Sequence, residues 1–558
     1  MKDINLWLEK KDLDIDLRYQ LEHSTEEELI DAFYKDLEFG TGGLRGILGV
    51  GTNRINIYTI RKNTEGYARY IESFGDITKK QMGIVIAYDN RHNSQKFAFE
   101  AARVLANHGI KSYVFESLRP TPELSFAIRF LQAFGGIVIT ASHNPKEYSG
   151  YKIYDSDGCQ CIPKDTDNII KFINEVKDYL NITIANDETL NKYLNIVGET
   201  IDLAYLEAIK KIQIHPELSK NNLKIVFTPQ HGTSNIPVRK LFNELNYNLI
   251  PVISQCSPDP EFSNTNNPNP EHISAFYKSI EIAKEHNADL IISTDPDCDR
   301  LGIMVKHDGK YMPLTGNQTG AILLDYILTE RKKLNNLPKN GVVFNTIVTN
   351  DLGISICKKF GIEVESTLTG FKFIGDRIRK YQKTKEKEFI FGYEESYGYL
   401  MSDICLDKDG VQSCLLIAEV VNFYKQKNLD LIDVLENIYN KYGFIEDAQE
   451  SLTLKGEEGN KKIKNMVKKF RNEQIKAIGN QIVIAKEDYL LSIRTEKNNY
   501  YELNLPKSNV IKYIMDDGSW FALRPSGTES KIKFYFSIRG KNKLKMYKDF
   551  IHNILEKE

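Results

Sequence analysis

Short apolar runs that lead into polar loops recur along the chain. Residues 83–87 form such a run, and a helical pattern over 98–108 and a second apolar run at 112–115 follow it. The same order recurs twice, at residues 223–227, 235–245 and 249–253, and again at residues 342–345, 354–360 and 362–365. Strand, helix and strand in this order indicate a right-handed βαβ unit with parallel strands. The pattern predicts three similar α/β domains.

Each of these units also contains an apolar strand that runs directly into a polar loop. Residues 137–139 lead to Ser142, residues 290–292 lead to Asp295, and residues 389–391 lead to Glu394. The carboxyl ends of parallel strands share one edge of a sheet, and open α/β sheets bind their ligands at that edge. We therefore expect these three loops to carry the functional site.

Different patterns occur at the two ends of the chain. Residues 24–38 begin with a capping-box spacing, Ser24 and Glu27, and continue with a helical apolar face. Lysine-rich residues 461–471 predict a helix with a solvated face. Residues 531–539 alternate polar and apolar side chains, which predicts a half-buried strand, and an amphipathic helix follows. The C-terminal part is thus predicted to be a smaller α+β domain.

The expected fold class is α/β, with three similar mixed domains built on mostly parallel sheets. The smaller C-terminal α+β domain joins them around one central cleft. The predicted boundaries are 1–205, 206–315, 316–440 and 441–558.

Composition narrows the function classes. The chain has 74 Lys and Arg against 76 Asp and Glu, so no overall field attracts nucleic acid or an anionic membrane. An anionic substrate must instead be held by local arginines and lysines. The seven scattered cysteines fit a reducing compartment, and no apolar stretch is long enough to span a bilayer. We expect a cytoplasmic protein, with Cys159 and Cys161 as ordinary structural cysteines.

The loop at residues 140–145, TASHNP, places Ser142 on a tight turn after a buried strand. Pro145 forces the residue before it out of the helical region, so the turn ends there. A serine at the carboxyl end of a strand is a candidate nucleophile, whereas an ordinary turn or capping serine would have the same local sequence. Taken alone, this loop leaves both interpretations open.

The loop at residues 295–300, DPDCDR, supplies three carboxylates at alternate positions. Three hard oxygen ligands on one bend suit Mg²⁺. An EF-hand is disfavoured, because Arg300 stands where its loop needs glycine. An acidic turn that caps a helix and an aspartyl-phosphate site of the haloacid dehalogenase type remain alternatives, and in the latter Asp295 would be the nucleophile. Arg300 beside three aspartates is best explained if it faces a substrate phosphate.

Three further loops carry polar groups. Residues 392–398, GYEESYG, offer Glu394 and Ser396 as acceptors and donors for sugar hydroxyls. Residues 524–529, RPSGTE, combine an arginine fork, two hydroxyls and a glycine, which suits a phosphate. Residues 40–46, GTGGLRG, surround Arg45 with glycines and suit an anion better than a dinucleotide.

These motifs, in this order and at these spacings, resemble the α-D-phosphohexomutase superfamily over essentially the whole chain. The glycine-rich loop, the DPDCDR loop and the GYEESYG loop look closest to bacterial phosphoglucomutases and phosphomannomutases related to the phosphopentomutase-type group. The resemblance implies an isomerase that interconverts sugar 1-phosphate and sugar 6-phosphate. Glucose is the expected sugar, with pentose or mannose phosphate as alternatives.

The resemblance also implies roles for particular residues. Ser142 would be phosphorylated in the resting enzyme, and Mg²⁺ would join its phosphate to the three aspartates of the acidic loop. A sugar 1,6-bisphosphate would be both intermediate and activator. The implied catalytic residues are Ser142, His143, Arg45 and Lys152; the metal ligands Ser142, Asp295, Asp297 and Asp299; and the substrate-binding residues Arg300, Thr369, Gly370, Glu394, Ser396, Lys408, Arg524, Ser526, Gly527 and Thr528.

One departure from the family pattern concerns sugar choice. Many hexose-specific members carry histidine shortly after Glu-x-Ser-Gly, and this chain has Tyr397, Gly398 and Tyr399 there. The expected partner is a small phosphosugar, with no nucleic acid or membrane, and the expected state is a monomer or weak homodimer. A Mg²⁺-dependent phosphatase and a non-catalytic sugar-phosphate sensor are the competing hypotheses.

Overall fold

The computed structural model describes residues 2–40, 43–454, 456–497, 499–526 and 531–555. The chain divides into two compact units. Unit 1 comprises Met1–Leu314, Phe371–Gly392 and Tyr397–Asn428, and unit 2 comprises Thr315–Gly370, Tyr393–Ser396 and Leu429–Glu558.

Unit 1 begins with a six-stranded sheet and its helices. The elements are α1 (Lys2–Glu9), α2 (Ile15–His23), α3 (Glu26–Phe33), β1 (Leu44–Ile47), α4 (Ile57–Glu72), α5 (Ile77–Met82), β2 (Ile84–Tyr88), α6 (Ser94–Asn107), β3 (Ser112–Phe115), α7 (Thr121–Phe130), β4 (Gly135–Ile139), β5 (Tyr148–Tyr154), α8 (Pro163–Glu175), α9 (Asp187–Tyr193) and β6 (Leu194–Val197). The strand order is β1-β5-β4-β2-β3-β6, in which β4, β2, β3 and β6 are parallel and β5 and β1 are added antiparallel.

A second, five-stranded sheet of unit 1 repeats this plan. Its elements are α10 (Glu199–Lys210), β7 (Lys224–Thr228), α11 (Asn235–Glu244), β8 (Asn248–Pro251), α12 (Tyr277–His286), β9 (Leu290–Thr294), β10 (Leu301–His307) and β11 (Lys310–Leu314). The strand order is β11-β10-β9-β7-β8, with β9, β7 and β8 parallel. The predicted parallel strands are thus present, and each sheet is extended by antiparallel strands at one edge.

The third α/β segment contributes elements to both units. They are α13 (Gly316–Lys333), β12 (Gly341–Thr346), α14 (Leu352–Phe360), β13 (Glu363–Thr367), α15 (Phe371–Thr384), β14 (Glu388–Glu394), β15 (Gly398–Leu400), α16 (Gly410–Lys425) and α17 (Leu431–Tyr442). Within unit 2, β12 and β13 pair in parallel, as their strand–helix–strand pattern predicts. Strand β14 crosses the division between the units after Gly392.

The C-terminal part of unit 2 is an antiparallel sheet with two helices. Its elements are β16 (Ile445–Thr453), α18 (Gly456–Asn472), β17 (Ala477–Ile478), β18 (Gln481–Asp488), β19 (Ile493–Glu496), β20 (Asn499–Glu502), β21 (Ile511–Met515), β22 (Trp520–Pro525), β23 (Lys531–Arg539) and α19 (Leu544–Leu555). The strand order is β16-β23-β22-β21-β18-β19-β20, and β17 pairs with β18. Apolar side chains of α18 and α19 form a core with this sheet. The predicted fold class, three α/β domains and an α+β domain, is confirmed.

Two antiparallel connections matter most for function. The TASHNP loop joins β4 to its antiparallel neighbour β5, and the DPDCDR loop joins β9 to its antiparallel neighbour β10. Each loop therefore follows the carboxyl end of a parallel strand and is fixed again by the returning strand.

Helix α3, which was predicted from the capping-box spacing of Ser24 and Glu27, starts one residue later than that spacing indicates. Thr25 rather than Ser24 caps α3, and the capping box pairs Thr25 with Glu28. Ser24 instead closes α2, since its backbone N–H donates to the Gln20 carbonyl at 2.9 Å. Helix α3 ends at Phe33, so the apolar pattern beyond it belongs to the following loop.

The alternating strand near the C-terminus is buried more fully than its pattern predicts. Tyr535 and Ser537 on β23 are only 3% and 1% exposed. They lie opposite residues of β22 on the face that carries Trp520. The Lys512 ammonium group lies over the Trp520 ring and donates to the Ile347 carbonyl at 2.9 Å. This face is therefore covered by the third α/β segment, which a pattern local to β23 does not encode.

Two further findings concern the cysteines and the length of the helices. All seven cysteines are buried with free thiols. Within the described residues, every helix is too short or too polar to cross a bilayer.

Candidate active site

In unit 1, Ser142 sits on a constrained turn after β4. Its φ is 53°, in the left-handed region that non-glycine residues seldom adopt, and the residue is 3% exposed. Its backbone N–H donates to Thr140 Oγ1 at 2.8 Å. Its hydroxyl donates to Asp295 Oδ2 at 2.7 Å and lies 3.1 Å from His143 Nδ1. The hydroxyl is thus directed at the acidic loop.

The three aspartates of the acidic loop converge at this point. Asp295, Asp297 and Asp299 are each at most 1% exposed, and one carboxylate oxygen of each lies within 4.8 Å of the others. Asp295 Oδ1 accepts the backbone N–H groups of Asp299 and Arg300 at 3.1 and 2.9 Å, which shapes the loop. Asp297 Oδ1 and Asp299 Oδ1 are buried and accept no hydrogen bond from the part of the chain that the structure describes. Buried carboxylate oxygens that accept no hydrogen bond, at this spacing, fit a hard cation such as Mg²⁺.

The electrostatics of these carboxylates differ from one another. Burial raises the pKa of Asp295 well above its usual range, and the charges of Asp299 and Asp297 add to the effect. Burial also acts to raise the pKa of Asp297, but the charges of Lys152 and Lys408 and hydrogen bonds from its neighbours together outweigh it and hold that pKa below the usual range. The cluster therefore depends on positive charge to remain ionised.

Two lysines supply positive charge to the cluster. Lys152 on β5 is 7% exposed, and its Nζ lies 3.3 Å from Asp297 Oδ2 and 4.0 Å from Asp299 Oδ2. Lys408 precedes α16, and its Nζ donates to Asp299 Oδ2 at 2.6 Å. Both were predicted as site residues, and the structure brings both to the aspartates.

Two predicted arginines of unit 1 border the same loops. Arg45 on β1 donates to Asn144 Oδ1 at 3.1 Å, so it reaches the serine loop. Arg300 forms an ion pair with Glu271, and its Nε lies 3.8 Å from Asp299 Oδ1. The structure thus places Arg300 beside the acidic loop with a carboxylate partner.

In unit 2, two loops that were predicted to bind substrate contact each other. Glu394, at the end of β14, is 3% exposed and its Oε1 accepts the Gly370 backbone N–H at 2.8 Å. Gly370 has φ 117°, which a side chain would strain. Thr369 Oγ1 is buried without a hydrogen-bond partner in the described chain. Ser396 is half-buried in the turn that follows Glu394.

The predicted phosphate loop lies partly within the described residues. Arg524, the last residue but one of β22, lies opposite Lys533 of β23, and the Ser526 backbone N–H donates to the Lys531 carbonyl at 2.7 Å. Gly527 and Thr528 lie outside the described residues. Burial raises the pKa of Glu395, and the charges of Lys533 and Arg524 oppose that rise. Within unit 2, these two cations therefore act on the residue next to Glu394.

Sequence reasoning missed two residues that structure the site. Thr121, at the start of α7, donates its hydroxyl to Asp297 Oδ2 at 3.1 Å and its backbone N–H to the Asp297 carbonyl at 2.9 Å. Arg91 donates to carbonyl groups of the serine loop, including that of Ser142 at 2.7 Å. A signal for Arg91 was present, since residues 89–91, DNR, form a polar loop directly after the buried strand β2.

Comparison with known proteins identifies the family. Sequence profiles of the phosphoglucomutase/phosphomannomutase α/β/α domains I, II and III match residues 36–180, 203–309 and 315–442, and the profile of the C-terminal domain matches residues 461–554. The chain belongs to this family. It is an enzyme, a phosphosugar mutase of the α-D-phosphohexomutase superfamily. The family acts on small phosphosugars and is generally Mg²⁺-dependent. Membership decides against the dehalogenase-type phosphatase and the non-catalytic sensor.

Similar proteins cover nearly the whole chain. A phosphoglucomutase of Staphylococcus aureus strain USA300 is 40% identical over 544 residues, 97% of this chain and 96% of the relative. That of strain MRSA252 is 39% identical over 541 residues, 96% of each. Among solved structures, the open form of parafusin (phosphoglucomutase) from Paramecium has a TM-score of 0.67 at 19% identity, covering 94% of this chain and 95% of that one. A phosphoglucomutase/phosphomannomutase family protein from Burkholderia thailandensis also has a TM-score of 0.67, at 17% identity, covering 93% and 96%. These two structures show the shared fold.

Proposed function

We propose that this phosphosugar mutase interconverts glucose 1-phosphate and glucose 6-phosphate through phosphorylated Ser142 and a bound glucose 1,6-bisphosphate. The observation that carries the proposal is the hydrogen bond from the Ser142 hydroxyl to Asp295, within a buried cluster of three aspartates. The name of the Staphylococcus relatives supports glucose as the sugar.

In the first half-reaction, the phosphoryl group moves from Ser142 Oγ to the free hydroxyl of the sugar phosphate. The serine P–O bond breaks, a new P–O bond forms to the sugar, and the sugar hydroxyl loses its proton. Ser142 regains a proton, for which His143 Nδ1 at 3.1 Å is a suitable carrier. After the bisphosphate reorients, its other phosphoryl group returns to Ser142 by the reverse transfer.

Charge stabilisation is the main task of the surrounding residues, since phosphoryl transfer needs little covalent assistance. Mg²⁺ held by Asp295, Asp297, Asp299 and the phosphoserine would neutralise the transferring group. Lys152 lies close enough to the aspartates to add positive charge there, and Arg45 orients the serine loop through Asn144.

Lys408 and the remaining predicted residues are proposed to bind substrate. Lys408 and Arg300 border the acidic loop. Four groups of unit 2 are assigned to sugar hydroxyls, namely Thr369, Gly370, Glu394 and Ser396. Four are assigned to the phosphate that is not reacting, namely Arg524, Ser526, Gly527 and Thr528. The charges of Arg524 and Lys533 near Glu395 support an anion-binding role.

A second candidate is that pentose or mannose phosphate is the main substrate. Tyr397 and Tyr399 occupy the region where many hexose-specific relatives have histidine. Both candidates use the same transfer chemistry, and only the sugar contacts differ. We further propose that the enzyme acts in the cytoplasm as a monomer or weak homodimer.

The test compares turnover of glucose, mannose and ribose 1-phosphates by one enzyme preparation. Peptide mass spectrometry of that preparation should find one phosphate on the peptide containing Ser142. Ser142→Ala should retain at most trace activity, whereas Ser156→Ala, on an exposed turn of the same segment, should be fully active. Phosphate on Asp295 instead, or full activity of Ser142→Ala, would refute the phosphoserine mechanism. A strong preference for ribose or mannose phosphate would refute glucose as the substrate.

A further inference from the structure

The loop that carries Ser142 is held by one buried arginine. Arg91 donates from Nη2 to the carbonyl groups of Ser142 and Asn144, at 2.7 and 2.5 Å. From Nη1 it donates to those of Pro145 and Tyr148, at 2.7 and 3.1 Å. Four backbone carbonyls, three from the turn between β4 and β5 and one from the first residue of β5, thus converge on one guanidinium group.

The guanidinium group is itself fixed from two sides. The Arg91 side chain is fully buried, and its Nε lies 3.1 Å from Asp89 Oδ2. Asp89 is in turn oriented by hydrogen bonds from the Arg91 backbone N–H at 3.0 Å and the Ser94 hydroxyl at 2.7 Å. The Phe262 ring centroid lies 5.2 Å from the guanidinium carbon, within the range of a cation–π contact.

The contact to Phe262 gives a role to the proline- and asparagine-rich loop of residues 257–270. That loop also contacts the neighbouring polar groups of the first segment. Asn90 Nδ2 donates to the Asp259 carbonyl at 2.9 Å, and Lys146 forms an ion pair with Glu261 at 2.6 Å. The loop therefore packs beside the serine loop and next to Arg91.

These contacts occupy the Nη donors of Arg91, and its Nε, which makes no hydrogen bond within the described residues, is buried against Asp89. Each of its four Nη hydrogen bonds goes to a backbone carbonyl, and its Nε faces a carboxylate. Arg91 therefore does not contact substrate phosphate. The carbonyls that it holds include that of Ser142, whose φ of 53° places the hydroxyl towards Asp295.

We propose that Arg91 is a positioning residue for phosphoryl transfer, which fixes the backbone of the serine loop so that Ser142 Oγ meets the acidic loop, with Phe262 supporting its guanidinium plane. The proposal rests on Ser142 as the phosphoryl carrier. A planar fork with five donors can hold four carbonyls at once, whereas a lysine ammonium group has three donors on a single atom. Misplacing a reacting group by 1 Å costs on the order of 100-fold in rate.

The first test compares Arg91→Lys with Arg91→Met. Lysine keeps the charge beside Asp89 but loses the fork. If Arg91 positions Ser142, kcat of Arg91→Lys falls by about 100-fold while KM for the sugar phosphate changes by less than about 3-fold, because substrate contacts are untouched. Arg91→Met should be no more active than Arg91→Lys. If lysine restores kcat to within about 3-fold of the parent while methionine does not, the residue only balances the charge of Asp89 and the proposal is overturned.

The matched control is Arg103→Lys. Arg103 also donates to a backbone carbonyl, that of Ala185 at 3.0 Å, and to Asp187 at 2.6 Å. It should match the parent in kcat and in phosphate content of Ser142. If neither the parent nor this control has mutase activity, the proposed function is contradicted. If both are active and Arg91→Lys also has the parental kcat, only the positioning role is contradicted.

Phe262→Leu keeps the proposal testable if the Arg91 variants do not fold. It removes the ring from the guanidinium plane without removing a hydrogen bond to the serine loop. We expect kcat to fall several-fold with KM retained, together with slower phosphorylation of Ser142 by glucose 1,6-bisphosphate in a single-turnover experiment. A folded Phe262→Leu variant with parental kcat and a parental phosphorylation rate would overturn the assignment to Phe262. If, in addition, Arg91→Lys has the parental kcat or cannot be purified in folded form, this result for Phe262→Leu would overturn the whole proposal.

Discussion

The Ser142 hydroxyl donates to Asp295 Oδ2 across 2.7 Å, although the two residues are 153 positions apart in the chain. Ser142 follows β4, the strand at one end of the parallel run in the first sheet, and Asp295 follows β9, the central strand of the second sheet. Both sheets lie in unit 1, and Thr121 at the start of α7 contacts the acidic loop as well. The proposed nucleophile and the proposed metal ligands are therefore parts of one buried network.

Asp297→Asn should impair turnover and Mg²⁺ dependence together. The substitution removes one hard ligand and the negative charge that faces Lys152 at 3.3 Å. The loss should exceed the about 10–100-fold that removal of an outer-shell partner costs. The measurement is initial rate against Mg²⁺ concentration, with thermal unfolding as the check that the fold survives. Parental activity of the variant in excess chelator would exclude Asp297 as a ligand.

Thr121→Val should weaken metal activation more mildly. Its hydroxyl donates to Asp297 Oδ2 at 3.1 Å, and valine has the same shape without that donor. We expect the Mg²⁺ concentration for half-maximal activity to rise about 10-fold. Thr121→Ser, which keeps the hydroxyl, is the matched control and should stay within about 3-fold of the parent. Equal shifts in both variants would indicate a packing effect instead.

Glu394→Gln should lower kcat/KM for every good substrate, and by unequal factors for hexose and pentose phosphates. A site built to hydrogen-bond hydroxyls discriminates strongly against sugars that leave those groups unpaired. Glutamine can still accept the Gly370 N–H, which lies 2.8 Å from Oε1, so the loop should keep its shape. The same strand offers a control, Glu388→Gln, at its exposed start. Unchanged kinetics on all sugars would place Glu394 outside the substrate site.

Arg524→Ala should raise KM for sugar phosphates by about 10-fold, the effect of losing a charge-assisted hydrogen bond. Release of glucose 1,6-bisphosphate per catalytic cycle should rise too, since the intermediate would be held less tightly. Arg494→Ala is the control, because Arg494 pairs with Glu487 at 2.6 Å and with Glu496 at 3.3 Å. If KM and bisphosphate release are both parental in Arg524→Ala, the phosphate assignment is wrong.

His108 should make the stability of unit 1 pH-dependent. Its ring lies between Glu65 at 2.8 Å and Glu72 at 3.0 Å, which Arg69 and Lys80 also contact. Burial acts to lower the pKa of His108, but the two carboxylates outweigh it and raise the pKa above 6.5. The pKa values of Glu65 and Glu72 are lowered from 4.5, because the neighbouring cations outweigh their burial.

The direction of the pH dependence of stability follows from proton linkage. The His108 contribution is full below about pH 6.5 and is lost as the pH rises through its raised pKa. The glutamate contribution is present above about pH 4.5 and is lost as the pH falls through the lowered pKa values. His108→Gln should therefore lower the melting temperature most between about pH 4.5 and 6.5. Exposed His272→Gln is the control, and a difference for His108→Gln that is constant from pH 4 to 9 would contradict the linkage.

The strand–loop pattern was predictable because burial and turn chemistry are local. Residues 112–115 were predicted as a strand and form β3 with the same bounds. The positions of Ser142 and Asp295 after β4 and β9 follow from apolar runs that end in polar turns. The choice of Thr25 rather than Ser24 as the N-cap of α3 was harder to predict. Either of these adjacent residues can cap a helix N-terminus, and the position at which α2 ends decides between them.

The amino-acid sequence by itself determined the kinds of domain, the order of the functional loops and the residue types that the chemistry uses. Only the tertiary structure decided which polar groups meet. Arg91 lies in the loop after β2. It can donate hydrogen bonds to the serine loop because β2 and β4 are parallel neighbours with their ends in register. Thr121 and Lys408 reach the aspartates from elements 176 and 109 positions away. Such contacts depend on strand order and helix placement, which are set by burial of the whole sheet and not by any local pattern.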